Sequence, residues 1–296
     1  MKEGIAKLKN ALASAECILI GAGAGLSSAA GYDYGGARFL KYFSDFHERF
    51  GIKDIYTGGF YPFPTRGLFW AWWSRSIYIN RYAPIPENDV YPNLLRLAAG
   101  RDYFVLTTNV DHAFQRTGFD KERLFYTQGD FGLFQSSRPA GVSAGRTYDN
   151  EEQVRAMLRA QGFTFAPNGA LLLPEDGVPL MEVPAYLIPY CPDDGTEMTT
   201  NLRADASFVE DAGWHAAAAR YEDWLARSEG RRMLLLELGV GANTPGIIKY
   251  PFWRMTAARA DVTLAAINLG AYVPDEIRGR SIALDGHIEE VLRELL

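Results

Sequence analysis

The sequence predicts an α/β protein built on a parallel sheet, and three observations carry that prediction. Short apolar runs recur along the chain, each ending abruptly in a Gly- or Asn-rich loop: "ECILIGAGAGLSSAAG", "YFVLTTNVDHAFQRTG", "RLFYTQGD", "RRMLLLELGVGANTPG" and "VTLAAINLG". The runs do not alternate with polar residues, as expected of strands buried on both faces. Between them lie segments with helical spacing. In open sheets of this kind ligands bind beyond the carboxyl ends of the strands, which is where the polar clusters fall. The pattern favours a Rossmann-like sheet over an all-α or all-β chain.

The elements follow in order. The opening "MKEGIAKLKNALASAECILI" sets Ile5, Leu8 and Leu12 at helical spacing with Lys7 and Lys9 between them, which predicts an amphipathic first helix rather than a signal peptide. The first strand then runs into Gly21–Gly31. Here glycines let the backbone approach a pyrophosphate, and a helix N-terminus supplies N–H donors. Close packing of strand and helix is the competing reason for such a run. Ser28 holds the last glycine position of a G-x-G-x-x-G, and no Gly-Lys-Ser/Thr follows, so this is no Walker A loop.

Residues 36–90 are aromatic-rich. Phe69, Trp72, Trp73 and Ile77 stand at roughly helical spacing, read as core, with a helical lid over a ligand as the alternative. Residues 136–228 are loop-rich and end in a helical pattern near "EDWLARS". The expected division is 1–35, 91–135 and 229–296 for the Rossmann-like domain, 36–90 for a helical insertion or lid, and 136–228 for a smaller inserted domain.

Composition limits what such a chain does. Of 296 residues 48% are apolar and 22% charged, enough for a core and too few charges for global disorder. A net charge of −6 argues against general binding to nucleic acid or anionic membrane. Two cysteines, Cys17 and Cys191, make no disulfide framework and suit a reducing compartment. No apolar run approaches the ~20 residues of a membrane span. The reading is a soluble, cytoplasmic protein.

With these motifs in place the sequence resembles the sirtuins, the NAD-consuming enzymes. Gly23-Ala24-Gly25-Leu26-Ser27 with Ala30-Gly31 is similar to their "GAGxS…SG", and Thr107-Thr108-Asn109-Val110-Asp111 to "TQNID". Gln128-Gly129 lies where "HG" is expected. Cys191-Pro192 and Gly195 lie where "CPxCG" is expected, followed by Leu202-Arg203 for "LR" and Phe208-Val209-Glu210 for "FGE". Leu238-Gly239-Val240 resembles "GTS", Ile267-Asn268 resembles "IN", and "LDGHIEEVLREL" the closing helix. The blocks come in the family's order over nearly the whole chain. The resemblance implies a Rossmann domain and a small domain, a degenerate zinc ribbon with helices, with NAD between them.

Three departures narrow the activity. The family's "GIPDFR" is here Gly31-Tyr32-Asp33-Tyr34-Gly35-Gly36, followed by Ala37-Arg38-Phe39, so its Phe and Arg are displaced, with Arg38 and Phe39 as replacements. Structural zinc needs about four Cys/His ligands in paired spacing. Cys191 is the only cysteine of its region and Asp194 stands where its partner would be, so no zinc is expected. Finally, Gln128 replaces the catalytic histidine. In sirtuin deacylation that histidine acts as general base on a ribose hydroxyl. A carboxamide hydrogen-bonds but does not take up a proton near neutral pH. Nicotinamide cleavage passes through an oxocarbenium-like state that needs positioning and electrostatics more than a base. Deacylation is therefore expected to fail, while NAD cleavage and ADP-ribosyl transfer remain.

This combination is similar to the class M sirtuins, the macrodomain-linked group, in which Gln stands at the histidine position. Their "QGD(F/Y)GL…Q", "TYDNEE", "NLR.D..FVED" and "INLG" have counterparts at 128–135, 147–152, 201–211 and 267–270. That class keeps zinc cysteines, which this chain lacks. The resemblance implies NAD-dependent ADP-ribosylation of a lipoylated, glycine-cleavage-H-like carrier protein, with a macrodomain hydrolase reversing it. It assigns catalysis to Asn109, Asp111 and Gln128. NAD contacts fall to those three and to Gly23, Ala24, Gly25, Ser27, Asp33, Arg38, Phe39, Thr108, Gly239, Val240, Asn268, Leu269 and His287. Singly, Asn109 and Asp111 also read as helix caps and Gln128 as a turn residue. Clustered at strand ends beside a glycine loop they read as functional. Two rivals stay open: a NAD glycohydrolase or deacylase, and a non-enzymatic NAD or ADP-ribose sensor.

Overall fold

In the computed structural model, which describes residues 2–241 and 245–296, the apolar runs are strands and their Gly- and Asn-rich ends are loops. The strands in chain order are β1 (Cys17–Ala22), β2 (Tyr103–Thr107), β3 (Leu124–Tyr126), β4 (Gly129–Ser136), β5 (Tyr148–Asp149), β6 (Thr164–Phe165), β7 (Leu171–Leu172), β8 (Met198–Leu202), β9 (Met233–Leu238), β10 (Val262–Asn268) and β11 (Ser281–Asp285). The chain divides into two compact units: 1–31, 87–128 and 213–296 form the first, 32–86 and 129–212 the second.

The first unit is a six-stranded sheet in the order β11-β10-β9-β1-β2-β3, with every neighbouring pair parallel. All residues of β1, β2 and β9 are buried, which is why their sequences show no alternation. From β1 the chain steps to β2 and β3 on one side, while β9, β10 and β11 extend on the other. The strand order therefore reverses between β1 and β9, the place where such sheets leave a crevice at their carboxyl ends. The first helix, Lys2–Ser14, buries Ile5, Leu8 and Leu12 as its spacing predicts.

The helix Ala212–Arg227 supplies Ala217 and Trp224 to a cluster with Phe104, Leu106 and Phe125. This corrects the expected boundary at 229. Burial of these two side chains against sheet residues draws 213–228 into the first unit.

The second unit corrects the expected division again. Residues 36–90 and 136–228 were expected as separate insertions, yet 32–86 and 129–212 make one body. Arg75, from the helix Arg66–Ile77, is fully buried and joins the two segments. Its Nε donates to Gln161 Oε1 at 2.8 Å and its Nη2 to the Leu180 carbonyl, while Nη1 pairs with Asp45 at 2.8 Å. Of the side chains read as core, Trp72 and Ile77 are fully buried and Phe69 and Trp73 half-buried: Trp72 lies 4.4 Å from Phe43, 5.2 Å from Phe46 and 5.7 Å from Phe63, centroid to centroid. Residues 129–135, expected with the Rossmann-like domain, form β4, the middle strand of an antiparallel β5-β4-β8 sheet. The switch occurs at Gly129, whose φ of +96° only glycine adopts readily.

The segment Cys191–Thr196 shows what stands in place of a zinc ligand pair. Asp194 Oδ1 accepts from the Thr196 N–H at 2.9 Å and its hydroxyl at 2.7 Å. Hydrogen bonds from Ser143 and Thr196 hold the Asp194 carboxyl well below the usual carboxylate range. Asp193 Oδ2 accepts from Tyr148 at 2.7 Å and from Arg146 at 2.8 Å. Among the described residues no group of three or more His, Cys, Asp or Glu is placed to hold a metal ion, and no helix is long and apolar enough to cross a membrane.

Candidate functional site

The carboxyl ends of β1, β2, β3, β9 and β10 bring most of the sequence-predicted residues together within the first unit. The glycine run after β1 is first a packing device. Gly25 N donates to the Gly239 carbonyl at 2.9 Å, and a Cβ on Gly25 would stand 2.7 Å from the Gly239 Cα. Gly239 is tighter still: its φ is +61°, and an added Cβ would lie 2.3 Å from Leu26 N. The loops after β1 and β9 thus meet backbone to backbone. Of the two reasons for such glycines, close packing is the one these contacts show.

The helix Ala24–Ala29 starts from Gly23 and carries Ser27, which is 6% exposed. The Ser27 hydroxyl donates to Asp111 Oδ2 at 2.5 Å, accepts from Asn109 Nδ2 at 3.0 Å, and meets the Tyr91 hydroxyl at 3.1 Å. Asn109 Nδ2 also donates to the Gly23 carbonyl at 3.0 Å. Both amide protons are thereby committed, so what the carboxamide has to offer a ligand is its Oδ1 acceptor. The strand end is fixed in turn: Thr107 Oγ1 donates to the Ala22 carbonyl and accepts from Asn109 N, and Thr108 N donates to the same carbonyl. After Asp111 the backbone turns through His112 in the left-handed region, φ 64°, and Asp111 Oδ1 accepts from Ala113 N at 2.9 Å. Asp111 therefore receives the first N–H of the helix Ala113–Thr117, one residue ahead of its N-cap His112, and the Ser27 hydroxyl at once.

Gln128 is held beside this strand end by its neighbour. Thr127 donates both its N–H and its hydroxyl to the Thr107 carbonyl, at 2.9 and 3.2 Å. Trp214 Nε1, from the helix Ala212–Arg227, donates to the Thr127 carbonyl at 3.2 Å. Gln128 itself is half-buried, and its Oε1 is buried without a hydrogen-bond partner. An orphaned buried acceptor is destabilising, and a ligand hydroxyl that donates to it recovers that energy. This orphan, with the glycine cradle at Gly25 and Gly239, fits a nucleotide whose ribose presents hydroxyls.

On the β10 side, Asn268 Nδ2 approaches the Val240 carbonyl at 3.4 Å, and Asn268 Oδ1 accepts from Leu269 N at 3.0 Å. Leu269 is 64% exposed, and Ala24 is also exposed. His287 is exposed ahead of the helix Ile288–Leu295 and makes no side-chain capping bond.

Three predicted contacts belong to the second unit. Asp33 is exposed, and its carbonyl accepts from Arg38 Nη1 at 3.0 Å. Arg38 Nη2 donates to the Ile79 carbonyl and to Asn80 Oδ1. Phe39 is 1% exposed and stacks on Phe43 at 5.7 Å, so its ring serves the aromatic core.

Sequence reading missed Tyr91, Thr107 and Thr127. Tyr91, on the helix Val90–Ala98, is fully buried and lies 64 positions from Ser27, and nothing local marks its hydroxyl. Thr107 and Thr127 were legible as strand-end polar residues, since each directly precedes a predicted site residue.

No family model matches the chain. It is 33% identical over 291 residues to a protein ADP-ribosyltransferase of Staphylococcus aureus (strain Mu50 / ATCC 700699), an alignment covering 98% of this chain and 86% of that protein. A probable bifunctional ADP-ribose hydrolase/ADP-ribosyltransferase of Fusarium oxysporum f. sp. cubense is 30% identical over 302 residues, covering 96% of this chain and 46% of that longer protein. Among solved structures, a Sir2–p53 peptide–NAD+ complex superposes with a TM-score of 0.56 at 16% identity, over 98% of this chain and 95% of that one. Sir2 in complex with the inhibitor EX-527, 2′-O-acetyl-ADP-ribose and deacetylated p53 peptide gives 0.56 at 17% identity, over 100% and 97%. These superpositions establish a shared fold.

Proposed function

The chain belongs to the family of ADP-ribosyltransferases with a sirtuin fold and is an NAD-dependent enzyme of that kind, and from this premise we propose that it transfers ADP-ribose to a protein, a lipoylated glycine-cleavage-H-like carrier, as a class M sirtuin. The name of the Staphylococcus aureus relative supports a protein acceptor. The hydrolase named in the Fusarium relative supports an antagonist that removes the modification, proposed here as a macrodomain hydrolase.

The observation that carries the reading is the state of Gln128. Its Oε1 is a buried acceptor awaiting a donor, and a carboxamide there binds a ribose hydroxyl without deprotonating it. Bound NAD supplies an electrophilic ribose carbon as nicotinamide departs. Asn109 offers Oδ1 to the nicotinamide end, Asp111 holds Ser27, which in turn accepts from Asn109, and contributes negative charge, and Gln128 orients the ribose. Gly23, Ala24 and Gly25 shape the turn beside which the pyrophosphate lies, with Thr108 next to them, and Ser27, whose hydroxyl is committed within the protein, positions Asn109 and Asp111. Gly239, Val240, Asn268, Leu269 and His287 line the adenosine side; Asp33, Arg38 and Phe39 are left out of this proposal, because they belong to the second unit and the Phe39 ring is buried in its aromatic core. Gln128, the group proposed to meet the ribose hydroxyls, is a carboxamide and not a base, so acyl removal stalls while transfer proceeds.

The test is mass spectrometry of a lipoylated carrier incubated with NAD and the enzyme. The carrier gains the mass of ADP-ribose, and Asn109→Ala abolishes that gain; unchanged labelling by the variant sinks the assignment. An acetyl-lysine peptide yields no O-acyl-ADP-ribose. Robust formation of that product would show that Gln128 does not block deacylation.

A further inference from the structure

Glu237 is a carboxylate where a parallel sheet ordinarily carries an aliphatic side chain. It stands in β9 between Gly21 of β1 and Ala266 of β10, and is 1% exposed. Its Oε1 receives Lys249 Nζ at 2.5 Å, and its Oε2 is buried without a partner. Lys249 opens the helix Lys249–Ala258, is 15% exposed, and also stands 5.7 Å over the Trp253 ring. Burial pushes the Glu237 carboxyl up, and Lys249 only partly offsets this. Such a pair is poor evidence for stability, since well-packed aliphatic residues often do as well in its place.

What the pair does hold is geometry at the nucleotide end of the sheet. Two residues beyond Glu237 lies Gly239, seated against Gly25 and Leu26 with no room for a side chain. Val240 follows, its carbonyl facing Asn268 Nδ2. The chain returns at Ile248, whose Cγ2 would lie 2.6 Å from a Cβ on Gly21. Departure and return are both keyed to glycines of β1 and its loop. The ion pair ties the departing strand to the returning helix.

We propose that Glu237 and Lys249 are positioning residues for the nucleotide: together they fix Gly239–Val240 against the glycine loop and so set NAD affinity, without entering the transfer step. The proposal rests on NAD as co-substrate. Calorimetric binding of NAD to the unaltered protein tests that premise by itself, because the premise survives if only the pair's role fails.

The experiment compares Glu237→Gln, Lys249→Met, the double variant and Lys249→Arg by NAD calorimetry, steady-state kinetics and circular dichroism. Each of the first two raises the KM and Kd for NAD roughly tenfold, and the double variant is no weaker than the weaker single one. The kcat stays within about twofold and Lys249→Arg keeps most of the affinity. Folded single variants with unchanged NAD affinity would overturn the proposal. So would additive losses in the double variant, or a kcat that falls as far as the affinity. Should Glu237→Gln not fold, Lys249→Met against Lys249→Arg decides by the same readouts.

Discussion

Ser27 shows how one hydroxyl can organise a site by being fully used. A hydroxyl has one proton and two lone pairs. The proton goes to Asp111 Oδ2, and one lone pair takes a proton from Asn109 Nδ2. The Tyr91 hydroxyl must therefore donate to the other, which gives the chain of bonds a direction, Tyr91 to Ser27 to Asp111. Tyr91→Phe removes that donor and lets Ser27 rotate, at a stability loss of about 1 kcal/mol. Nicotinamide release from NAD should fall several-fold in this variant while its fold persists. A folded variant with unchanged kcat/KM would remove Tyr91 from the site. Ser27, Asn109 and Asp111 were legible because strand-end motifs expose them locally. Tyr91 was not, because its role exists only once a distant helix packs against the glycine loop.

At the scale of elements, the strands of the parallel sheet were legible because burial on both faces removes alternation, and their ends were legible because loops at the ligand edge need glycine. The antiparallel pairing of β4 with β8 was not. It joins residues such as Gln135 and Thr199 that no local pattern relates. There Gln135 is consumed by structure: its Oε1 accepts from Asn201 Nδ2 and Val209 N, and its Nε2 donates to the Ser207 carbonyl. The closing Gln135 of the "QGDFGLFQ" resemblance is thus a clamp within the second unit. The glycines separate by the same reasoning. Gly239 and Gly270 both have positive φ, +61° and +72°, but a Cβ at 239 meets Leu26 N at 2.3 Å whereas one at 270 meets nothing within 4 Å. Gly270→Ala bears only the left-handed backbone cost, about 1 to 2 kcal/mol. Gly239→Ala adds a clash with backbone that has nowhere to move, and the total should exceed about 2 kcal/mol. Urea denaturation of both variants orders them, and NAD affinity should collapse only for Gly239→Ala. Equal midpoints would mean that the two loops are not wedged together.

At the scale of the whole molecule, length and composition allowed a large sheet domain with insertions, but not where the chain crosses between units. It crosses near 31, 86, 128 and 212, at places set by long-range partners such as Arg75 with Gln161 and Trp224 with the sheet cluster. Each unit also keeps carboxylates whose charge the folded state favours. In the first, Asp102 accepts from Arg231 at 2.7 Å, from Trp224 Nε1 at 2.9 Å and from Arg123 at 3.2 Å. Burial raises its pKa, but the bonds from Arg231 and Trp224 and the charges of Arg231 and Arg123 outweigh that and leave it lowered. In the second, Asp194 is lowered by its Ser143 and Thr196 hydrogen bonds. A carboxylate whose folded pKa lies below its unfolded one binds fewer protons when folded. Its contribution is complete above the unfolded value of about 3.9 and is lost as pH falls through the folded one. Stability should therefore hold from neutral pH down to about 5 as far as these groups decide, then decline steeply below about 4. Asp102→Asn should be less stable at pH 7, because Arg231 and Trp224 lose an ionised acceptor. Its urea midpoint should also fall less between pH 5 and 3 than that of the unaltered chain. A parallel fall in both proteins would show that Asp102 does not carry the acid response of the first unit.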